Sequence, residues 1–190
     1  MAWLTDAEIL KALASKKSVC IIVQKEDFQR PDIDVNLKEV DWKKKWKIEL
    51  RQSYDKLKCN LEREDFDQNI LSFISTHSID TTLEAVRCVG NKNRHPLMHN
   101  KFLVFASYKN YNRPVSGYYD YGKIKIKPYA VWTGSFNFTK NSQNSLENAL
   151  LIKDPLVVHA YYKEFGQIYA MSEPLDWTVD WVKPKWRIGS

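Results

Sequence analysis

The stretch MHNKFLVF, residues 98–105, sets a histidine and a lysine two positions apart at the head of an apolar run. Alternate side chains of a β-strand share a face, so the run predicts a strand over residues 97–106 with His99 and Lys101 projecting from one side. An imidazole beside a fixed positive charge supplies a nucleophile or an acid–base group. The stretch therefore predicts both a strand and the first part of a chemical site.

A second stretch, WTGSFNFTKNSQNSLENALLI at residues 132–152, follows later in the chain. Its Gly-Ser-Phe-Asn turn, residues 134–137, offers backbone N–H groups, a hydroxyl and an amide, all of which can bind phosphate oxygens. Glu147 starts a strand predicted over residues 147–152, where its carboxylate can accept a hydrogen bond from an imidazole N–H. The two stretches together predict a phosphate-binding site with a histidine nucleophile and no metal ligands.

Hydrophobic periodicity predicts that helices and strands alternate along the rest of the chain. Thr5 or Asp6 can cap a first helix, and Asp154 caps another that has Pro155 at its first position. This alternation indicates an α/β fold, with a single mixed β-sheet sandwiched by helices. The remaining predicted elements are strands over residues 18–23, 83–90 and 129–133, helices over residues 41–61 and 65–76, and a hairpin and loop over residues 107–128.

The composition is that of a globular domain with a basic surface. The chain has 190 residues, a net charge of +6 and a pI of about 9.1, and 44% of its residues are hydrophobic. This length allows one domain with a sizeable core. The positive charge favours anionic partners, either nucleic acid or an acidic membrane surface, with a solvated surface that has no specific partner as the plain alternative.

Three cysteines, Cys20, Cys59 and Cys88, form an odd and sparse set. Cys20 and Cys88 lie in apolar runs and are interpreted as small core residues. No Cys-x-x-Cys pair is present, so neither a zinc site nor a cofactor is predicted. This cysteine usage indicates a reducing, cytoplasmic setting. The N-terminus is not a signal peptide, and no apolar run approaches the length of a membrane span.

The two motifs resemble the signature of the phospholipase D superfamily, which is His-x-Lys followed later by Gly-Ser-x-Asn or Gly-Ser-x-x-Asn. The likeness is strongest over residues 83–170, and residues 5–23 are similar to the family's first crossover. The resemblance implies a phospholipase D-like fold. The catalytic residues that it implies are His99, Lys101, Ser135, Asn137 and Glu147. The substrate-binding residues that we predict beside them are Gly134, Arg94 and Lys92.

The chain carries one copy of the motif, and single-copy members resemble small nucleases that pair two chains across a two-fold axis. The resemblance therefore implies a homodimer in which one His99 attacks phosphorus and forms a phosphohistidine. The second His99, as imidazolium, protonates the leaving oxygen and later deprotonates the attacking water. Lys101 and Asn137 of both chains would hold the non-bridging oxygens, and Ser135 would add a hydrogen bond.

Two features depart from the family pattern. The family often has an aspartate where this chain has Ala106, and Asp120 is the candidate substitute. The family's first strand and helix are missing before residue 1, so we expect either a trimmed chain or a sheet completed in another way.

The predicted domain organisation is a catalytic domain over residues 1–172 with a polar helical insert at about residues 30–80, and a Trp-rich tail over residues 173–190. The tail is interpreted as packing or dimer surface. In the insert, the lysines of residues 43–47 are interleaved with Trp42 and Trp46. They form either a solvated helix face or a surface that grips a phosphate backbone and stacks a base.

These features lead to one principal function and two alternatives. The first is a metal-independent phosphodiesterase, a nuclease that cleaves DNA or RNA. The second is a catalytically impaired member that retains a groove for phosphate or nucleic acid, which Ala106 favours. The third is a phospholipid hydrolase, which needs an apolar surface facing the membrane that the Trp-rich tail could supply.

Overall fold

Six strands and three helices lie in the residues that the structure, a computed structural model, describes: 4–24, 41–60, 84–89, 99–111, 123–139, 142 and 144–175. The helices are α1 (Ala7–Ala14), α2 (Asp41–Tyr54) and α3 (Pro155–Ala170). The strands are β1 (Ile21–Gln24), β2 (Val86–Val89), β3 (Phe102–Tyr111), β4 (Lys123–Gly134), β5 (Ala149–Ile152) and β6 (Glu173–Pro174).

The strands form two three-stranded sheets. The first has the order β1-β2-β6, with β1 parallel to β2 and β6 antiparallel to it. The second has the order β3-β4-β5 and is antiparallel throughout. The α/β class is confirmed. The sequence predicted one sheet, and the described strands form two. Within the described residues, no strand of the first sheet is hydrogen-bonded to a strand of the second.

The hairpin of β3 and β4 is longer than the sequence predicted. Its pairing extends from Phe102 opposite Thr133 to Tyr111 opposite Lys123, well into the segment expected to be loop. The missed signal is the alternation of lysine and isoleucine at the start of β4, which is the period of a half-buried strand. The register shifts between Phe105 and Ala106, so the hairpin contains a β-bulge at that point.

Both predicted helix caps are confirmed. The Asp6 carboxylate accepts a hydrogen bond from the Ile9 N–H at 3.0 Å at the start of α1. The Asp154 carboxylate accepts from the N–H groups of Leu156 and Val157 at 2.9 and 3.0 Å, with proline in the first turn of α3. These side chains pair N–H groups that have no partner inside the helix.

The main core lies between the first sheet and the helices α1 and α2, which also contact each other. Its fully buried side chains include Leu4, Val23 and Cys88. Helix α3 packs on the second sheet, where the Tyr161 and Phe102 rings meet edge to face with centroids 5.1 Å apart. Ile168 and Tyr169 of α3 also cluster with Ile22 of β1, so this helix contacts both sheets.

The opening segment of the chain holds the turn of the second motif in place. The N–H groups of Thr5 and Asp6 donate to the Phe138 carbonyl at 3.0 and 3.2 Å, and Leu4 forms a bridge with Phe138. The buried Tyr54 hydroxyl, at the end of α2, donates to the Leu4 carbonyl at 2.9 Å. The residue that follows Asn137 is thereby tied to α1 and α2.

Some predictions concern residues outside the described part of the chain. The helix expected over residues 65–76 and most of the Trp-rich tail, residues 176–190, belong to this group. Residues 173–175, assigned to the tail, pair with β2 and bury Leu175, so the packed domain continues through them. None of the helices in the described residues is long and apolar enough to cross a membrane.

Replacing Tyr54 by phenylalanine removes the hydrogen bond to a buried carbonyl while keeping the ring. We expect Tyr54→Phe to lower the free energy of unfolding by about 1–2 kcal/mol, measured by urea denaturation. Ser53→Ala, which removes only a surface bond to the Glu49 carbonyl on the same helix, should change it by less than about 0.5 kcal/mol. Equal losses in both variants would contradict the role given to Tyr54.

Candidate active site

Lys101 is a buried cation at the entrance to β3. Its side chain is only 7% exposed, and its ammonium donates to the His99 carbonyl at 3.1 Å. Loss of hydration lowers the pKa of Lys101, and the nearby Glu147 carboxylate acts in the opposite direction. A cation held here with little water around it would attract an anion more strongly than one on the open surface.

The backbone of Lys101 joins the two motifs. Its carbonyl accepts hydrogen bonds from the Gly134 N–H at 3.4 Å and from the Thr133 hydroxyl at 3.2 Å. The start of β3 and the end of β4 are therefore held side by side. The two sequence stretches that predicted a site meet at this point.

Gly134 is required by the close approach of β5. A Cβ atom at this position would lie 2.1 Å from the Asn148 carbonyl oxygen and 2.8 Å from the Ala149 Cα atom. Both contacts are with backbone, which cannot move aside as the end of a side chain can. Gly134, which the sequence predicted to bind substrate, thus has a packing role that brings β5 to the end of β4.

Ser135 is bonded to the segment that enters β5. Its N–H donates to the Asn148 carbonyl at 3.0 Å, and its hydroxyl accepts from the Asn148 N–H at 3.1 Å. The same hydroxyl donates to the Glu147 carboxylate through a short hydrogen bond. The sequence predicted an imidazole as the partner of Glu147, and the structure places the Ser135 hydroxyl there instead.

Asn137 presents a polar group with no partner. Its Oδ1 atom is buried and has no hydrogen bond within the described residues. The side chain is positioned by its neighbours, because the rings of Trp132, Phe136 and Phe138 pack together with centroids 5.1 to 6.3 Å apart. The unpaired oxygen is an acceptor, so only a hydrogen-bond donor could pair it, and a phosphate oxygen would have to accept from the amide NH₂ group instead.

His99 and Lys101 lie before β3 and not on one face of it, because the strand predicted over residues 97–106 begins at Phe102. His99 is exposed, unlike the buried Lys101. Its carbonyl is bonded to Lys101, while no side chain of the described residues hydrogen-bonds its imidazole. The ring is therefore free to approach a substrate. Lys92 and Arg94, predicted to bind substrate, lie outside the described residues, and so do Asp120 and the side chains of Trp42 and Trp46.

Ala106, which replaces the family's frequent aspartate, is exposed beside the β-bulge of the hairpin and lies opposite Pro128. The methyl side chain of alanine cannot accept a hydrogen bond as an aspartate would. At this position the strand is held by its main-chain pairing with β4. The structure shows that pairing continuing on both sides of the bulge.

An apolar cavity of about 740 Å³ lies between β1 and β3. Its walls include Ile9 of α1, Phe165 of α3 and Asn100 of the first motif. The cavity could not be predicted from the sequence, because its walls come from segments that are far apart in the chain and that only the fold brings together. Its contact with Asn100 makes it adjacent to the candidate site.

The site contains side chains for binding an anion. Within the described residues there is no group of three or more His, Cys, Asp or Glu side chains placed to hold a metal ion. The grouped side chains are an ammonium, a hydroxyl, a carboxylate and an amide, with an exposed imidazole at the edge. Such groups can fix the oxygens of a phosphate and supply a nucleophile.

Comparison with known proteins supports a family assignment. The family described as "Cardiolipin synthase, PLD-like domain" matches residues 2–169. The chain is similar to "Uncharacterized protein L381" of Acanthamoeba polyphaga mimivirus, with 33% identity over 186 residues. That alignment covers 93% of this chain and 59% of the relative, so the chain spans less than two thirds of the relative's length. No solved structure shows a significant match.

Adding one methyl group at Gly134 should separate β4 from β5. We expect Gly134→Ala to lower the free energy of unfolding by at least about 2 kcal/mol, because the new Cβ atom meets fixed backbone. Ser135→Ala, in the same turn but exposed, should cost about 1 kcal/mol or less. Chemical denaturation measures both. A Gly134→Ala protein as stable as the wild type would contradict the close packing of β5 against Gly134.

Proposed function

The chain belongs to the phospholipase D superfamily, and from that membership we propose that it is a metal-independent phosphodiesterase with His99 as its nucleophile. The observation that carries the proposal is the junction of β3, β4 and β5, where the Gly134 N–H donates to the Lys101 carbonyl and the Ser135 hydroxyl donates to Glu147. Asn137, whose amide oxygen has no partner within the described residues, lies in the turn next to them. This group is suited to hold a phosphodiester beside the exposed imidazole.

In the proposed reaction the His99 imidazole attacks phosphorus, a P–N bond forms and the bond to the leaving oxygen breaks. A second imidazole, in its protonated form, gives its proton to that oxygen. It then takes a proton from water, which attacks the phosphohistidine and releases His99 and the phosphomonoester. Lys101 and Asn137 hold the non-bridging oxygens throughout, and their charge and dipole are in place before substrate arrives.

One copy of the motif supplies one such histidine, so the second imidazole is proposed to come from a second copy of the chain. An exposed apolar surface next to the site supports this arrangement. In β5, the edge strand of its sheet within the described residues, Leu150 is 65% exposed and Leu151 is 59% exposed. Leu146 and Leu156 on either side are also exposed. Apolar edge strands are normally covered, and a second copy would cover this one.

Nucleic acid is the proposed substrate because the chain carries a net charge of +6. A positive surface attracts a polyanion and raises its local concentration at the site. DNA and RNA both supply the phosphodiester that the site would hold. Cleavage assays with single- and double-stranded DNA and RNA distinguish these substrates.

A phospholipid is a second candidate, and one observation favours it. The apolar cavity of about 740 Å³ reaches Asn100, between the two residues of the first motif. An acyl chain in that cavity would place its phosphodiester near Lys101. The matched family is also named after a lipid enzyme, cardiolipin synthase.

We expect His99→Ala to lower the rate of phosphodiester cleavage by at least about 10³-fold, because it removes the attacking group. Its free energy of unfolding should change by less than about 0.5 kcal/mol, since His99 is exposed. His159→Ala, another exposed histidine but on α3, is the control and should retain full activity. Trapping a phosphorylated His99 in the wild-type protein by mass spectrometry is the direct measurement.

The same assay separates the alternatives. Single- and double-stranded DNA and RNA, phospholipid vesicles and a fluorogenic phosphodiester are each incubated with enzyme, with and without excess chelator. Loss of activity in chelator with rescue by Mg²⁺ would reject the proposed mechanism. Binding of nucleic acid without cleavage of any substrate would identify the impaired binding protein that Ala106 favours.

A charge placed on the exposed edge strand tests the second copy. We expect Leu150→Glu to weaken dimerisation by at least about tenfold, because two carboxylates would be buried against an apolar surface. Activity should fall with the dimer population, both measured by light scattering and assay over a concentration series. Ile48→Glu, an exposed apolar position on α2, is the control. A fully active monomer at micromolar concentration would overturn the shared site.

A further inference from the structure

Two cysteines that are 39 positions apart in the chain meet in the fold. The Cys20 and Cys59 sulfurs lie 2.7 Å from each other, and both side chains are half-buried. Elsewhere in the structure the Cys88 sulfur lies 3.5 and 3.6 Å from the carbonyl oxygens that it contacts. The two sulfurs are therefore unusually close, although they are further apart than the about 2.05 Å of a disulfide bond.

The backbone on both sides of the two cysteines is already joined. The Val19 N–H donates to the Lys58 carbonyl at 2.7 Å, one residue before each cysteine. The Asn60 side-chain amide donates to the Lys17 carbonyl at 2.7 Å, and its N–H donates to the Ser18 hydroxyl at 3.0 Å. These bonds fix the segments side by side, so closing a bond between the sulfurs requires little backbone movement.

The two thiols share a hydrogen bond in which either sulfur can be the donor. That bond and burial raise the pKa of the Cys20 thiol, and Arg87 acts in the opposite direction. The thiolate is the reactive form, so exchange begins when the pair loses a proton.

We propose that Cys20 and Cys59 form a reversible disulfide when a low-molecular-weight disulfide such as oxidised glutathione is the oxidant, while Cys88 remains a thiol. One sulfur of the pair, as the thiolate, attacks one glutathione sulfur, which gives a mixed disulfide and releases the first glutathione. The other thiol then loses its proton to solvent and attacks the protein sulfur of the mixed disulfide, which expels the second glutathione. Two protein thiols are oxidised and one oxidised glutathione is reduced to two thiols.

Cys88 is excluded from this exchange by its surroundings. Its side chain is fully buried in the main core, in the middle of the first sheet. Its thiol lies within hydrogen-bonding distance of the Glu173 and Pro174 carbonyls of β6. A thiol in that position has no route to an oxidant without opening the sheet.

The bond would close a loop that contains β1 and α2. Helix α2 supplies Tyr54, whose hydroxyl holds the Leu4 carbonyl, and the segment that begins at Leu4 holds the turn next to Asn137. Cross-linking the ends of this loop restricts the unfolded chain and stabilises the fold. Oxidation should thus make the support beneath the second motif more resistant to unfolding, whichever substrate the enzyme uses.

The test uses the full chain in its native state. After incubation with oxidised glutathione, thiol titration in denaturant should fall from three thiols to one. Peptide mapping without reductant should find Cys20 joined to Cys59. The melting temperature should rise by about 5–10 °C and return on reduction. Cys88→Ser should behave as the wild type does, while Cys59→Ser should show no rise in melting temperature.

Two results would overturn the proposal. One is a wild-type protein that keeps three titratable thiols in oxidised glutathione. The other is a cross-link that involves Cys88 or joins two chains. Because the readouts are thiol number, peptide mass and melting temperature, they are independent of whether the protein cleaves a phosphodiester.

Discussion

The candidate site depends on one close contact between backbones, the approach of the Asn148 carbonyl to the Cα atom of Gly134. Only a residue without a side chain leaves room for it. The contact sets β5 against the end of β4, and the Ser135 N–H and hydroxyl then bond to Asn148. On the other side, the Gly134 N–H bonds to Lys101. One glycine therefore connects the lysine of the first motif to the serine and glutamate of the second.

This geometry also explains a costly feature. Lys101 is 7% exposed and has lost enough hydration for its pKa to fall. Burying a cation costs free energy unless a partner compensates, and Glu147 compensates only in part. The Asn137 amide oxygen is a second uncompensated group. An anion bound beside Lys101 would offset the cost of its buried charge, whereas the Asn137 oxygen is an acceptor and would need a hydrogen-bond donor.

The sequence predicted the parts of the fold that local patterns determine. The caps at Asp6 and Asp154 and the turn at Gly134 each have a signal within a few residues. The strand predicted over residues 97–106 also exists, but it begins at Phe102, so it leaves out His99 and Lys101. The sequence predicts a shorter hairpin because the Pro and Gly residues of 112–122, which lie outside the described residues, are typical of loops, although Lys and Ile alternate at the start of β4. Here pairing with β3 outweighed the turn residues.

What the sequence missed lies between segments that are far apart in the chain. The contact of Cys20 with Cys59, the cavity between β1 and β3, and the Ser135 partner of Glu147 all depend on how elements pack. Cys20 was interpreted as a core residue because its neighbours are apolar. That interpretation holds for Cys88 but does not foresee a second sulfur beside Cys20. A single sequence carries no signal for such pairs.

The proposed dimer would explain both the apolar edge of β5 and the exposure of His99. A short strand that exposes Leu150 and Leu151 would pair with other chains unless something specific covers it. Glu147 lies only two residues before this strand, so whatever covers the edge also lies close to the candidate site. A second copy related by a two-fold axis would bring its own His99 toward the same place. The proposed two-imidazole chemistry and the burial of this edge would then be one event, and catalysis would depend on protein concentration.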